Sequence, residues 1–262
     1  MAARAVSRAV RALAHRLAAA LPRGVRTRLR ALVERSAPDP RDLARVREVT
    51  SRQWQRPGSP RYVSSYWDDV DAAGSDSVGR RRSEWLAALP PFRDAASALE
   101  LGCGPGRNLW VLQQRHPAMA LFGIDINPEG IAHARARVRG EFRLGDLYEP
   151  GRLLGDTRVD VIFTMGVLIH LHPDTLPALV EAMRRHARKW LVFVEQVSET
   201  NEVVKGPARW RPTRRVTGDY IQWSPNLPAI LAGLGLAFER SAVPRALQAN
   251  GGRDLLVVPL GR

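Results

Sequence analysis

From residue 97 onward, short unbroken apolar runs alternate with stretches of helical periodicity. The runs at 97–101, 120–125, 141–145, 159–165, 190–195, 236–243 and 253–260 predict strands. The periodic stretches at 107–115, 128–139, 174–188 and 225–234 predict helices. Unbroken apolar runs suit strands buried on both faces, and strands alternating with helices imply crossovers. The pattern therefore predicts an α/β fold: a doubly wound, seven-stranded, mostly parallel sheet. Only residues 246–252 separate the last two runs, too few for a helix, so they form a hairpin and the terminal strand is antiparallel. Before residue 97 the pattern changes. Val6, Val10, Leu13, Leu17 and Leu21 recur at helical spacing, with Arg4, Arg8, Arg11 and His15 on the other side and Pro22 and Gly24 at the end. A second short helix is predicted near 25–35. The Pro- and Ser-rich stretch 37–60 reads as a linker around a helix at 41–54. Tyr62, Tyr66 and Trp67 cluster with three aspartates in 62–71, and a helix at 78–89 is stopped by Pro90-Pro91. The organisation expected is a basic amphipathic helical arm (1–36), a linker and N-terminal cap segment (37–82) and an α/β domain (83–262), with 196–224 as a lid-like insertion.

Composition adds bounds. At 262 residues and 45% hydrophobic, the chain can bury one sizeable core. The formal net charge is +14, but residues 1–35 hold nine arginines against Glu34 alone, so +8 of it sits in the arm. The charge is therefore not by itself a sign of nucleic-acid binding. Three readings of the arm stand side by side: a helix packed on the domain, a surface helix on anionic lipid, and a cleaved organellar transit peptide. Arginines interrupt its apolar stretch, which argues against a secretory signal. No run of eighteen apolar residues occurs, so no transmembrane segment is expected. Cys103 is the sole cysteine, which excludes an internal disulfide and fits a reducing cytoplasm, with peripheral membrane contact through residues 1–35 as a further expectation.

The chemistry concentrates at 98–109, Ala-Leu-Glu-Leu-Gly-Cys-Gly-Pro-Gly-Arg-Asn-Leu. An apolar run carries Glu100 and breaks into Gly102, Gly104 and Gly106 before a helix-like pattern. Strand, glycine turn and helix bring backbone amides and a helix N-terminus to a ligand. The third glycine of a dinucleotide fingerprint would fall at Arg107, so a pyrophosphate site is disfavoured. Cys103 reads as a small filler of the turn, not a nucleophile. The second run ends in Asp125, placed to accept both hydroxyls of a ribose. The third ends at Gly145-Asp146-Leu147, which puts Asp146 near the amino group of an adenine.

With these elements the chain resembles the class I S-adenosylmethionine-dependent methyltransferases over about residues 83–260. The resemblance implies S-adenosyl-L-methionine as cofactor, held by Glu100, Gly102, Cys103, Gly104, Asn108, Asp125, Ile126, Asp146, Leu147 and Met165. Methyl transfer from a sulfonium is in-line displacement, so the protein mainly positions the acceptor, excludes water and removes a proton if the nucleophile is a hydroxyl. The acceptor is expected over the crevice between the first and fourth strands, near Met165 to Asp174 and Glu195. His170 is the candidate general base, alongside a structural reading of the same residue. His170 and His172, two apart in a turn, face different ways, and no third ligand suggests a metal site. Asp174 is a candidate helix cap.

Residues 163–174 are similar to a segment of methylases associated with pseudaminic acid biosynthesis, although after the fifth strand Glu195-Gln196-Val197-Ser198 departs from that pattern. Residues 205–216 hold five cations and Trp210 between prolines. They read as a lid in which Arg214 and Arg215 meet an anionic acceptor, with Glu195 as a further substrate contact. The function expected is methyl transfer to a small-molecule acceptor, sugar-like or anionic. An RNA or protein methyltransferase is the alternative; the place after the fourth strand holds Met165-Gly166-Val167 rather than Asn/Asp-Pro-Pro-aromatic, and no RNA-binding module is recognisable, which argues against nucleic acid. A non-catalytic protein that keeps the cofactor fold is the second alternative, opposed by the intact acids Glu100, Asp125 and Asp146.

Overall fold

The computed structural model describes residues 42–55, 63, 77–205, 222–248 and 252–261, with the backbone alone for 203–205. The expected arm, the Tyr62–Asp71 cluster other than residue 63, and Arg214 and Arg215 lie outside the described residues.

Elements follow the sequence in the order α1 (Leu43–Gln55), α2 (Val78–Ala87), α3 (Pro90–Arg93), β1 (Ser97–Leu101), α4 (Arg107–Arg115), β2 (Ala120–Asp125), α5 (Pro128–Arg137) and β3 (Glu141–Leu144). They continue with α6 (Pro150–Leu153), β4 (Val159–Met165), α7 (Leu176–His186), β5 (Ala187–Glu195), β6 (Glu202–Lys205), β7 (Gln222–Ser224), α8 (Leu227–Gly233), β8 (Glu239–Ala242) and β9 (Asp254–Pro259). One sheet has the order β3-β2-β1-β4-β5-β9-β8. β1 pairs in parallel with β2 and β4, β2 with β3, and β4 with β5; β9 runs antiparallel to both β5 and β8. The expected seven-stranded doubly wound sheet with an antiparallel final strand is thus the fold.

The central strands are apolar without a break because both their faces are covered. Leu99, Leu101, Ile162, Leu191 and Phe193 belong to one buried cluster with α7 and α8. Ala98, Val161, Phe163, Val192 and Val194 belong to another with α2, α4 and α5. Successive residues of a strand point to opposite faces, so each strand feeds both cores. α7 alone buries Leu176, Leu179, Val180, Ala182 and Met183, at about 1.5–3 kcal/mol for each large side chain.

Several boundaries differ from the sequence pattern. Pro90-Pro91 does stop a helix, but Pro90 also starts the next one, α3, because proline's fixed φ suits a first turn that needs no N–H. This turn drives Phe92 into the core, edge-on to Phe163 with ring centroids 5.2 Å apart. The predicted helix at 174–188 ends at His186, and Ala187 to Lys189 join β5, which begins pairing at Ala187 opposite Val159. The predicted strand at 236–243 shrinks to four exposed edge residues, because Leu236 and Phe238 pack on the core from outside the ladder. Inside the polar stretch 196–224, β6 and β7 pair antiparallel as a separate small sheet.

The reversal of strand order between β1 and β4 opens a crevice at the carboxyl ends of the strands, the usual ligand position of such sheets. Among the described residues no helix is long and apolar enough to cross a membrane, and no group of three metal-ligating side chains occurs.

Candidate functional site

The floor of the crevice is the turn after β1. Gly102, Gly104 and Gly106 all have positive φ. The need is strongest at Gly102 (φ +72°), where a Cβ would stand 2.3 Å from Val167 Cγ2. Gly106 is the left-handed N-cap of α4. Backbone bonds fix the turn to the next strand: the Gly102 and Cys103 N–H groups both donate to the Ile124 carbonyl, at 2.7 and 3.0 Å. β1, its turn, α4 and β2 therefore form one rigid cradle.

Three acids face this cradle, each held differently. Glu100 is buried; its Oε1 accepts from Asn108 Nδ2 at 2.6 Å, while Oε2 is buried without a hydrogen-bond partner. Burial pushes its carboxyl up to about 8, against the Asn108 bond that favours the charged form. Asn108 is itself fixed, since its Oδ1 accepts from Ser83 Oγ at 2.6 Å. Asp125, at the end of β2, is only 6% exposed. Its Oδ2 accepts from the Gly104 N–H at 2.7 Å and its Oδ1 from the Asn127 N–H at 2.8 Å. Burial raises its pKa and these N–H groups oppose the rise. Asp125 thus builds the turn as well as facing the cleft. Asp146 Oδ1 accepts from the Tyr148 N–H at 3.0 Å, and Oδ2 accepts from Arg47 Nη2 at 3.0 Å. Cys103 is buried, its Sγ donates to the Gly104 carbonyl at 3.6 Å, and burial raises its pKa; nothing there makes a thiolate.

The roof is α1, read from sequence only as a helix in a linker. Thr50, Ser51 and Trp54 line the cleft from above. Arg47 bridges to Asp146 and to Glu149 Oε1 at 2.6 Å, and Asn127 Nδ2 donates to the Trp54 carbonyl at 2.7 Å. The cleft is roofed but open at its mouth, and its empty space, solvent at the mouth included, is about 870 Å³. Its walls bring together Glu100, Gly102, Cys103, Gly104, Asn108, Asp125, Ile126, Asp146, Leu147, Met165 and His170. The roof residues and Tyr148 were missed; the signal was Leu43, Val46, Thr50 and Trp54 at helical spacing, of which Val46 and Thr50 are buried.

On the far wall, after β4, the short 3-10 turn Leu168–His170 places the His170 ring at the cleft, edge-on to Trp54 at 4.7 Å. His172 faces away. It is buried, packs edge-on to Trp223 at 4.9 Å, and its Nδ1 accepts from the Asp174 N–H at 3.2 Å. His172 is therefore the cap of the next 3-10 turn, Pro173–Thr175, and Asp174 is not a cap. Glu195 is a correction. It is 0% exposed and lies outside the cleft walls. Its Oε1 accepts from the Val167 N–H at 3.1 Å, and the Leu168 N–H also donates to this carboxylate. It is the strut beneath the turn that carries His170. Burial raises its pKa.

Residues 98–189 match the family described as "Methyltransferase domain". That match runs from β1 to the start of β5 and takes in the glycine turn, Asp125, Asp146 and His170. Residues 98–189 are thus similar to a methyltransferase domain, and the sheet has the class I methyltransferase-like fold. Among curated proteins, the chain is 32% identical over 123 residues to trans-aconitate 2-methyltransferase of Azoarcus sp. strain BH72, covering 45% of this chain and 47% of that one. It is 34% identical over 120 residues to the protein of the same name from Methylobacterium nodulans, covering 45% of each. The chain thus spans about half the length of these curated relatives. Among solved structures, magnesium protoporphyrin IX methyltransferase from Synechocystis PCC 6803 with bound SAH superposes with a TM-score of 0.60 at 14% identity, over 82% of this chain and 99% of that one. The plantazolicin methyltransferase in complex with SAH superposes at 0.55 and 13% identity, over 87% and 99%. These two likenesses concern the fold. The cleft fits S-adenosyl-L-methionine: a glycine turn in which a Cβ at Gly102 would meet Val167, an acid at the tip of β2, an unpartnered buried carboxylate oxygen on Glu100, and apolar walls from Ile126, Leu147 and Met165.

Proposed function

We propose that the chain transfers a methyl group from S-adenosylmethionine to a small, negatively charged organic acceptor. The observation that carries the reading is the roofed cleft, whose walls hold both the donor-side acids and the acceptor-side His170. A cleft roofed by its own chain suits a small molecule better than a polymer. The names of the two curated relatives, both of which act on an organic acid, support the negative charge, as do the cations of residues 205–216, with Arg214 and Arg215 as their contact to the acceptor. The sulfonium supplies an already activated methyl group. The glycine turn and Asp125 hold the nucleoside end, with Asp146 toward the base. Glu100 and Asn108 lie on the β1 side, and Met165 and Val167 close the reacting end. Trp54 and the roof helix exclude water. His170 is the group that faces the acceptor: it accepts the proton of a hydroxyl nucleophile, or orients a carboxylate oxygen, which has no proton to lose.

The test is label transfer. The protein is incubated with S-adenosylmethionine carrying a deuterated methyl group and a cell extract split into metabolites, RNA and protein. Label is expected in an acidic metabolite, and His170→Gln should lower its rate at least tenfold. Label in RNA or protein, with none in metabolites, would overturn the reading.

A further inference from the structure

Tyr148 stands where the donor and acceptor sides of the cleft meet. Its backbone N–H donates to Asp146 Oδ1. Its ring lies under the Arg47 guanidinium, whose Cζ is 5.7 Å from the ring centroid, and that guanidinium also grips Asp146 and Glu149. The phenol oxygen reaches the opposite way. It accepts from the His172 N–H at 3.0 Å, and its proton points to the His170 carbonyl at 3.5 Å, the outer limit of a hydrogen bond. These two backbone groups bracket the end of the 3-10 turn that carries His170. One side chain therefore touches the acid on the adenine side, the cation of the roof helix and the turn on the acceptor side. Packing alone would be satisfied by phenylalanine. What phenylalanine lacks is the oxygen that fixes a backbone N–H more than twenty residues away in the chain.

We infer that Tyr148 is a positioning residue: its hydroxyl sets the His170 ring in place against Trp54, and its ring ties that setting to the closed roof helix. The inference rests on the reading of His170 as the group facing the acceptor. The turn before His172 is short, and the His170 N–H donates to the Val167 carbonyl at 2.9 Å within it. Loss of the phenol bond frees the His172 N–H, two residues along, so the end of the turn and the imidazole with it can shift by a fraction of the ring's width. A displacement of about 1 Å at a reacting group is enough to cost on the order of a hundredfold in rate. Through Arg47, the same ring senses whether α1 sits on Asp146, so a closed roof and a set histidine go together.

The test reads the histidine directly. The full chain is labelled with carbon-13 histidine, saturated with S-adenosylhomocysteine and observed by NMR at fixed pH. The His170 ring signal is identified among the six histidines by its loss in His170→Gln. Its shift reports the edge contact with Trp54. In Tyr148→Phe the His170 signal is expected to move or split, with the other signals in place, affinity for S-adenosylhomocysteine within threefold, and label transfer at least tenfold slower. In Arg47→Ala the same signal should move in the same direction by less. An unmoved His170 signal in a folded Tyr148→Phe protein would overturn the inference. If Tyr148→Phe disturbs all the histidines, Arg47→Ala, which keeps the phenol, becomes the deciding variant, and an unmoved His170 signal there overturns it. Should His170→Gln transfer label at the full rate while the Tyr148→Phe shift is seen, the reading of His170 fails and the link through Tyr148 stands.

Discussion

The two sides of the cleft are built in different ways. The floor of the donor side is one continuous piece of chain, β1, turn, α4, β2 and the start of α5, closed by bonds from its own N–H groups at Gly102, Cys103 and Gly104. The acceptor side is assembled from remote pieces. The turn after β4 rests on the carboxylate of Glu195 from β5, on the phenol of Tyr148 from the loop after β3, and on the Trp223 ring from β7. A site made by local spacing is rigid and tolerates no added atom. A site made by long-range struts can change its acceptor by changing a strut, and fails by losing position rather than by losing fold.

The sharpest way to break the comparison is Gly102→Ala. The new Cβ would sit 2.3 Å from Val167 Cγ2 at a φ of +72°. Affinity for S-adenosylhomocysteine should fall at least 100-fold, about 2.7 kcal/mol, measured by calorimetry. Adding Val167→Ala relieves the clash but not the dihedral cost, so only part of the affinity should return. Full recovery would mean that the turn is not rigid.

Glu195→Ala probes a strut. It leaves the N–H groups of Val167 and Leu168 without their carboxylate, at a cost of about 2–4 kcal/mol in urea unfolding, with affinity for S-adenosylhomocysteine within threefold. An unchanged unfolding midpoint with a raised acceptor KM would restore Glu195 as a substrate contact.

Glu100 gives a pH signature. Its folded carboxyl titrates at about 8 against an ordinary 4.5. Between those values the folded state holds a proton that the unfolded chain has released, so stability from this group is present at low pH and falls as pH rises through the folded value. Relative to Glu100→Gln, the unliganded protein should lose on the order of 2–3 kcal/mol between pH 5.5 and 8. A parallel pH dependence in the two proteins would refute the shift.

The smallest effect belongs to Arg47→Ala. Its ion pairs with Asp146 and Glu149 are partly exposed, so stability should change by less than about 1 kcal/mol. Affinity for S-adenosylhomocysteine should drop three- to tenfold as the roof loosens. No change in affinity would show that α1 is not part of the site.

Legibility in the sequence followed the same division. The alternation of strands and helices, the glycine turn and the acids Glu100, Asp125 and Asp146 at the strand ends could be read because short-range spacing builds them. Even there, the burial of Asp125 was not visible, since it depends on Asn127 and Gly104 turning their N–H groups inward. Glu195 was misplaced because an acid at a strand end looks the same whether it faces a ligand or props up a neighbouring turn. The roof was missed because the helical period at Leu43 to Trp54 shows an apolar face but not what it covers. Tyr148, two residues past a recognised acid, carried no periodic signal; its role exists only across a long sequence separation.

The central claim is that the cleft between β1 and β4 is a S-adenosylmethionine site, and calorimetric titration of the full chain with S-adenosylhomocysteine tests it most directly. Saturable binding in the micromolar range is predicted, weakened at least tenfold, about 1.4 kcal/mol, in the folded fraction of Asp125→Ala. Absence of heat with S-adenosylhomocysteine, or saturable binding of a nicotinamide dinucleotide in its place, would contradict the account.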